Sequence, residues 1–316
     1  MNRIKKMMAV TLSCLFVIST VSGCQSSSKT KKENSSSQKA SDTNAPETKQ
    51  PAKTSQNETP AKPIYVIKSY NIYNGNETID HYYNFDYEDN KLIKIEGYDT
   101  QGLGITYKTE INDDNNLISF SSFDSKGAKS EYYKMDLYDD GTLKCEHRYS
   151  PTDDALYKYD YTYNDNKQID TKTGYSNGTT QSGKSGYTYN KKQNIIQQTN
   201  YSVKGDATSY IKYFYKKGKL VTEKYFSKKG KIYYINKYNY NKTGKLMTVY
   251  NYTDKKCKKI ASITKYKYNK KGLKTDEFRY SKKNKLDKHI NIKYRKIKVV
   301  NEKPWYLDWV YNKISE

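Results

Sequence analysis

The chain has 316 residues and a formal net charge of +23, from 57 Lys and Arg against 34 Asp and Glu. Its hydrophobic fraction of 34% includes 36 tyrosines, which leaves too few aliphatic side chains for a thick two-layer core. The charge excess points to anionic partners rather than to any particular fold.

The N-terminus has the layout of a secretory signal. Three cationic side chains in Asn2 to Lys6 precede an apolar run from Met7 to about Val21, too short for a membrane span. Val21-Ser22-Gly23-Cys24 resembles the bacterial lipobox, with Val21 in place of the commoner leucine. That resemblance implies a signal peptide over residues 1–23 and a lipid (diacylglycerol and palmitate) on Cys24. It places the chain on the extracytoplasmic face of a Gram-positive membrane. Residues 24–63 hold no aromatic or aliphatic β-branched side chain, and read as a disordered tether. As a flexible coil the tether spans roughly 35 Å.

From about residue 64 the chain repeats itself. Tyr163, Tyr189, Tyr215, Tyr240 and Tyr268 each precede a polar turn and then Ile169, Ile195, Leu220, Leu246 or Leu273. Leu92, Leu117 and Leu143 mark earlier copies, so the period is about 26 residues. Period-2 alternation around each signature predicts strands. Glycines such as Gly141, Gly218, Gly244 and Gly272 close one set of turns, and a second set recurs half a period later near Gly102, Gly127, Gly178, Gly205 and Gly230. Each unit is two strands and two turns, and eight units predict about 16 antiparallel strands.

The fold expected over residues 64–301 is all-β: an elongated, single-layer or coiled antiparallel sheet shielded by tyrosine rings and lysine stems. Its open edges need a cap. Residues 302–316 offer one, because Leu307, Val310, Tyr311 and Ile314 fall on one helical face, flanked by Trp305 and Trp309. Tyr-x-Tyr-Asn-x-x-Gly-x-Leu, at Tyr238 to Leu246, resembles the YD repeats of RHS-type bacterial proteins and the related hairpin repeats of small surface lipoproteins. The period is longer than in typical YD repeats, the turns are richer in lysine, and the chain is too short for the closed cocoon of large RHS proteins. The resemblance implies a β-repeat scaffold and transfers no catalytic residue.

The charge is unevenly placed. Residues 64–209 carry 16 basic and 22 acidic side chains, and residues 210–316 carry 31 and 8. Lys255, Lys256, Lys258, Lys259, Lys265 and Lys267, interleaved with Tyr266 and Tyr268, are the candidate polyanion-binding residues. The expected ligand is an anionic wall polymer or polysaccharide; specific nucleic-acid recognition and a small-molecule substrate are not indicated.

Little points to catalysis. His81, His147 and His289 lie in different repeats with no metal-ligand spacing, so no metal site is expected. Asp113-Asp114, Asp139-Asp140 and Asp153-Asp154 sit at turns, where Asp bonds its own backbone. Cys145 and Cys257 fall about eight strands apart, roughly 38 Å in a flat sheet, too far for a disulfide. The expected function is a lipid-anchored, non-catalytic binding or spacer scaffold with no cofactor. Binding of anionic wall polymer by the basic repeats is one alternative, and an immunity or assembly partner of a secreted toxin system is another.

Overall fold

The computed structural model describes residues 62–112, 116–299 and 304–315. The signal segment, Cys24 and the tether up to residue 61 lie outside the described residues; residues 62 and 63 already belong to a strand. The strands in order are β1 (Lys62–Asn74), β2 (Ile79–Glu88), β3 (Lys91–Asp99), β4 (Gly102–Ile111), β5 (Leu117–Asp124) and β6 (Lys129–Leu137). There follow β7 (Leu143–Tyr149), β8 (Ala155–Tyr163), β9 (Ile169–Ser176), β10 (Thr180–Tyr189), β11 (Ile195–Tyr201) and β12 (Ala207–Lys216). The last six are β13 (Lys219–Ser227), β14 (Ile232–Tyr240), β15 (Leu246–Tyr252), β16 (Ile260–Tyr268), β17 (Lys274–Ser281) and β18 (Leu286–Val299), before a helix α1 (Trp305–Ser315).

Every strand pairs antiparallel with its sequence neighbours, and β1 also pairs with β18 over 12 positions, from Lys62–Val299 to Asn74–Lys288. The sheet therefore closes into an 18-stranded barrel. This corrects the open or coiled sheet expected from the repeats. Two strands outside the signature-bearing set, the long β1 and β18, supply what was missed. Closure satisfies the two rows of unpaired backbone groups that an open sheet would leave at its edges.

The ladders share a second device. Each of the 18 steps by one residue along its length, as where Asn239 faces Thr248 but Tyr240 faces Leu246. Bulges of this kind raise local twist and bend the sheet, which favours closure. They also explain the signature. Tyr163 faces Ile169, Tyr189 faces Ile195, Tyr215 faces Leu220 and Tyr240 faces Leu246, so each tyrosine–aliphatic pair closes one hairpin. In the next hairpin Tyr268 faces Lys274, and the expected partner Leu273 lies in the turn.

The same tyrosines reach one hairpin back. Tyr163 donates its hydroxyl to Leu143 O at 2.8 Å, Tyr189 to Ile169 O, Tyr240 to Leu220 O, Tyr268 to Leu246 O and Tyr294 to Lys274 O, the last four at 2.7 Å. These bonds lace neighbouring hairpins along the rim at which β1 begins, here the entry rim. The nine turns at the other end, the far rim, join odd strands to even ones.

Side chains alternate between two walls. Glu146, Glu223 and Glu277, each less than 9% exposed, share a wall with Tyr161, Tyr213, Tyr238 and Tyr266. The opposite wall exposes Phe214, Tyr233 and Lys237 to solvent. The first is the inner wall. Its sector near β1 is aliphatic and aromatic, with Ile72, Phe85, Ile95, Phe120, Ile290 and Ile292 buried.

The compact unit that forms the barrel ends at Leu307. In it, Leu92 N donates to the Tyr306 hydroxyl at 3.4 Å, and Tyr306 and Leu307 are buried. The rest of α1, from Asp308, belongs to a second unit, in which Lys313 Nζ stands 5.3 Å over the Trp309 ring.

Candidate polyanion-binding rim

Strand alternation divides the residues singled out in the basic half. Lys265 and Lys267 point outward, their ammonium groups 4.8 Å over the rings of Tyr280 and Phe278. Tyr266 pairs with Glu277 on the inner wall, and the Tyr268 hydroxyl is engaged at Leu246 O. Tyrosine stacking and lysine charge in this run therefore serve different walls. Lys255, Lys256, Lys258 and Lys259 are exposed together on the β15–β16 turn at the far rim.

The tertiary structure adds six lysines to those four. The β13–β14 turn carries Lys228, Lys229 and Lys231, and the β17–β18 turn carries Lys282, Lys283 and Lys285, all exposed. The three hairpins are neighbours in the barrel, so their tips stand about 10 Å apart by strand spacing. Ten lysines thus line one arc of the far rim. The other six far-rim turns hold two, Lys126 and Lys204, beside Glu77, Asp153, Asp154 and Asp206. These ten residues sit near sequence positions 230, 255 and 283, and a tally of alternate turns would have found them. A linear scan finds only the densest run.

Local backbone chemistry presents the charges. Each of the three turns opens with Ser227, Asp254 or Ser281, which ties down its own loop. Ser227 Oγ accepts from Lys231 N at 3.2 Å, and Ser281 O accepts from Asn284 N at 2.8 Å. Asp254 accepts from the amides of Lys256, Lys258 and Lys259 at 3.2, 2.9 and 2.7 Å. Those amides, the Lys259 one foremost, hold its carboxyl below the ordinary carboxylate range. The one acid of the arc turns is thereby spent on its own loop. Positive φ at Gly230, Cys257 and Asn284 completes each reversal and leaves the lysine stems in solvent.

The inner wall holds residues that the repeat signature hides. Glu146, Glu223 and Glu277 face Met135, Tyr213 and Tyr266, each two residues before the residue that closes its hairpin, Leu137, Tyr215 or Tyr268. Glu223 accepts from Asn236 Nδ2 at 2.9 Å and from the Tyr225 hydroxyl at 3.1 Å, and burial pushes its carboxyl up. Burial acts likewise on Glu277, but its partners Lys274, at 2.9 Å, and Arg279, at 2.7 Å, outweigh it and hold the carboxyl low. One repeat position thus carries two acids with opposite shifts.

No protein-family model and no curated protein matches this chain. Among solved structures, one of TcdB2-TccC3-Cdc42 is 12% identical, with a TM-score of 0.34 over 72% of this chain and 15% of that one. A porin-like protein from Bacteroides uniformis is 10% identical, with a TM-score of 0.41 over 72% of this chain and 96% of its own. Another from Bacteroides vulgatus is 11% identical, with a TM-score of 0.31 over 73% and 99%. Likeness at this level assigns neither a family nor an activity.

Proposed function

We propose that this chain is a non-catalytic binding module of the bacterial surface, held by a lipid on Cys24, whose far-rim lysine arc captures an anionic wall polymer. The observation that carries this reading is the concentration of ten exposed lysines on three neighbouring turns, against two on the six others. Genome-wide inflation of lysine would load the far-rim turns evenly. β1 begins at the entry rim, so the arc lies at the rim opposite the first described residues of the barrel. Exposed cations spaced by about a Debye length bind a polyanion additively and lose it to salt. The YD-like signature fits this role as scaffolding, because its tyrosine–aliphatic pairs are consumed in closing hairpins.

The outer wall supports a water-surrounded barrel rather than one embedded in lipid. Lys212, Lys224, Lys237, Lys265 and Lys267 lie within strands on that wall. A lysine at a bilayer midplane costs about 2–4 kcal/mol. The Cys24→Ser chain should accordingly stay in the aqueous phase without detergent.

The test is retention of the Cys24→Ser chain on purified teichoic acid across a salt series. Replacing the ten arc lysines by Gln should reduce affinity at least about 100-fold at low salt and flatten the salt dependence, by counter-ion release. Replacing Lys216, Lys217, Lys242, Lys245, Lys270 and Lys271 at the entry rim should change it little. Equal losses from the two sets, or no loss from the arc, would refute the assignment.

A further inference from the structure

The outer wall of β6, β7 and β8 gathers a mixed set of donors on neighbouring strands. Asp136 and Asp160 are the cross-strand partners of Cys145, one on either side. His147 follows Cys145 by two residues, on the same wall. Cys145 Sγ lies 3.1 Å from His147 Nε2, and that nitrogen lies 3.2 Å from Asp136 Oδ2. The sulfur, nitrogen and carboxylate donors all fall within 4.8 Å of one another. Cys145 is 3% exposed, whereas the side chains of His147 and Asp136 are 22% and 60% exposed, so the sulfur is sheltered beside an open approach. The His147 ring stacks on Tyr149 with centroids 5.9 Å apart, which restrains its orientation.

Hydrogen bonding alone accounts for only part of this. The Cys145 thiol faces Asp160, which Lys158 pairs at 3.1 Å. His147 Nε2, however, faces a sulfur and a carboxylate oxygen together. With the thiol proton turned to Asp160, a single Nε2–H has to be shared between the Asp136 oxygen and the Cys145 sulfur. A cation set among the three satisfies every donor atom. A tetrahedral zinc ion with bonds of 2.0 to 2.3 Å holds its ligand atoms about 3.3–3.5 Å apart. The two separations at His147 Nε2, 3.1 and 3.2 Å, need to widen by a few tenths of an ångström, and the third, from Cys145 Sγ to the Asp136 carboxylate, lies within 4.8 Å. Mixed sulfur, imidazole and carboxylate donors favour zinc and its neighbours over magnesium or calcium.

We infer that Asp136 Oδ2, Cys145 Sγ and His147 Nε2 bind a divalent transition ion of the zinc class, with water in the fourth position. Binding replaces the S–H bond by an S–metal bond, and the thiol proton leaves to solvent with no change of oxidation state. One thiolate and one carboxylate neutralise the ion's two charges, while Asp160 stays with Lys158. The site is independent of the lysine arc, which lies on other strands.

The test uses the mature chain stripped with chelator and titrated with zinc against a chromophoric competitor. One ion per chain and about one released proton are expected. Cobalt in place of zinc should give a thiolate-to-metal charge-transfer band. Asp136→Asn and His147→Gln should each weaken zinc binding at least about tenfold. Cys145→Ser should abolish the cobalt band, and Cys257→Ser should leave both signals intact. Asp136 and His147 reach the surface, so their variants keep the test decisive if Cys145→Ser does not fold. Absence of stoichiometric zinc, unchanged affinity in both surface variants, or a cobalt band that follows Cys257 would overturn the assignment.

Discussion

Removing one hydroxyl isolates what the signature tyrosine does. In Tyr240→Phe the ring that faces Leu246 remains, and only the 2.7 Å bond to Leu220 O is lost. A neutral hydrogen bond contributes about 0.5–1.5 kcal/mol net, and the half-buried carbonyl keeps partial access to water, so a loss of about 1 kcal/mol is expected. For a domain of this size that lowers Tm by roughly 2–4 °C. Tyr163, Tyr189, Tyr268 and Tyr294 make equivalent bonds. Neighbouring hairpins are separated by about 10 Å, where effects add, so the fivefold Phe variant should lose about 5 kcal/mol. That is a large share of the stability of a typical domain. Thermal and urea unfolding of the Cys24→Ser chain measure it, with Tyr233→Phe on the exposed outer wall as control. A Tyr240→Phe chain as stable as its parent, or no less stable than the Tyr233→Phe control, would refute the lacing of hairpins through these hydroxyls.

Two further outcomes follow from inner and outer groups. Burial raises the Glu223 carboxyl, so the folded state binds its proton more tightly than the unfolded chain does. That penalty is absent below the unfolded value and grows as pH rises through the folded one; Glu223→Gln should therefore gain stability over the parent towards neutral pH. Glu277 is held low by Lys274 and Arg279 against its burial, so its contribution is present above the unfolded value and lost as pH falls through the folded one. Glu277→Gln should lose stability at neutral pH and match the parent in acid, and urea titrations at a series of pH values that show parallel profiles for the two variants would contradict this. Burial, then Asp160, pushes the Cys145 thiol up, whereas Cys257 stands half-buried on a turn. A thiol reagent at mild alkaline pH should label Cys257 in the native, metal-free chain and both cysteines after unfolding; prompt native labelling of Cys145 would count against its shelter.

The cysteines also show how a correct expectation can rest on an inadequate test. Two unpaired thiols were expected because a flat sheet separates them, and both are free. Yet the sheet is closed. Eight strands is nearly half of an 18-stranded ring, so closure carries Cys145 and the β15–β16 turn to opposite sides instead of together. Free thiols therefore do not distinguish an open sheet from this barrel.

Strands, turns and their period were legible because they depend on neighbours in the chain. Alternation of Tyr234, Tyr238 and Tyr240 with polar residues marks a strand, and a glycine or asparagine at positive φ marks a reversal. The lipobox-like run Val21 to Cys24, outside the described residues, is local in the same way. Closure was not legible, since it depends on Ile64 meeting Ile297 and Ile72 meeting Ile290 across more than 200 residues, in strands that lack the signature. The Asp136–Cys145–His147 cluster spans a single hairpin, but its members are set side by side by ladder register, and a one-residue slip would send Asp136 to the opposite wall. Local patterning alone specifies a tyrosine-stapled chain of hairpins with a basic second half. That the hairpins form a ring, and which side chains meet on it, is settled only on folding, because strand pairing between the two ends of a chain is a non-local choice that no single repeat encodes.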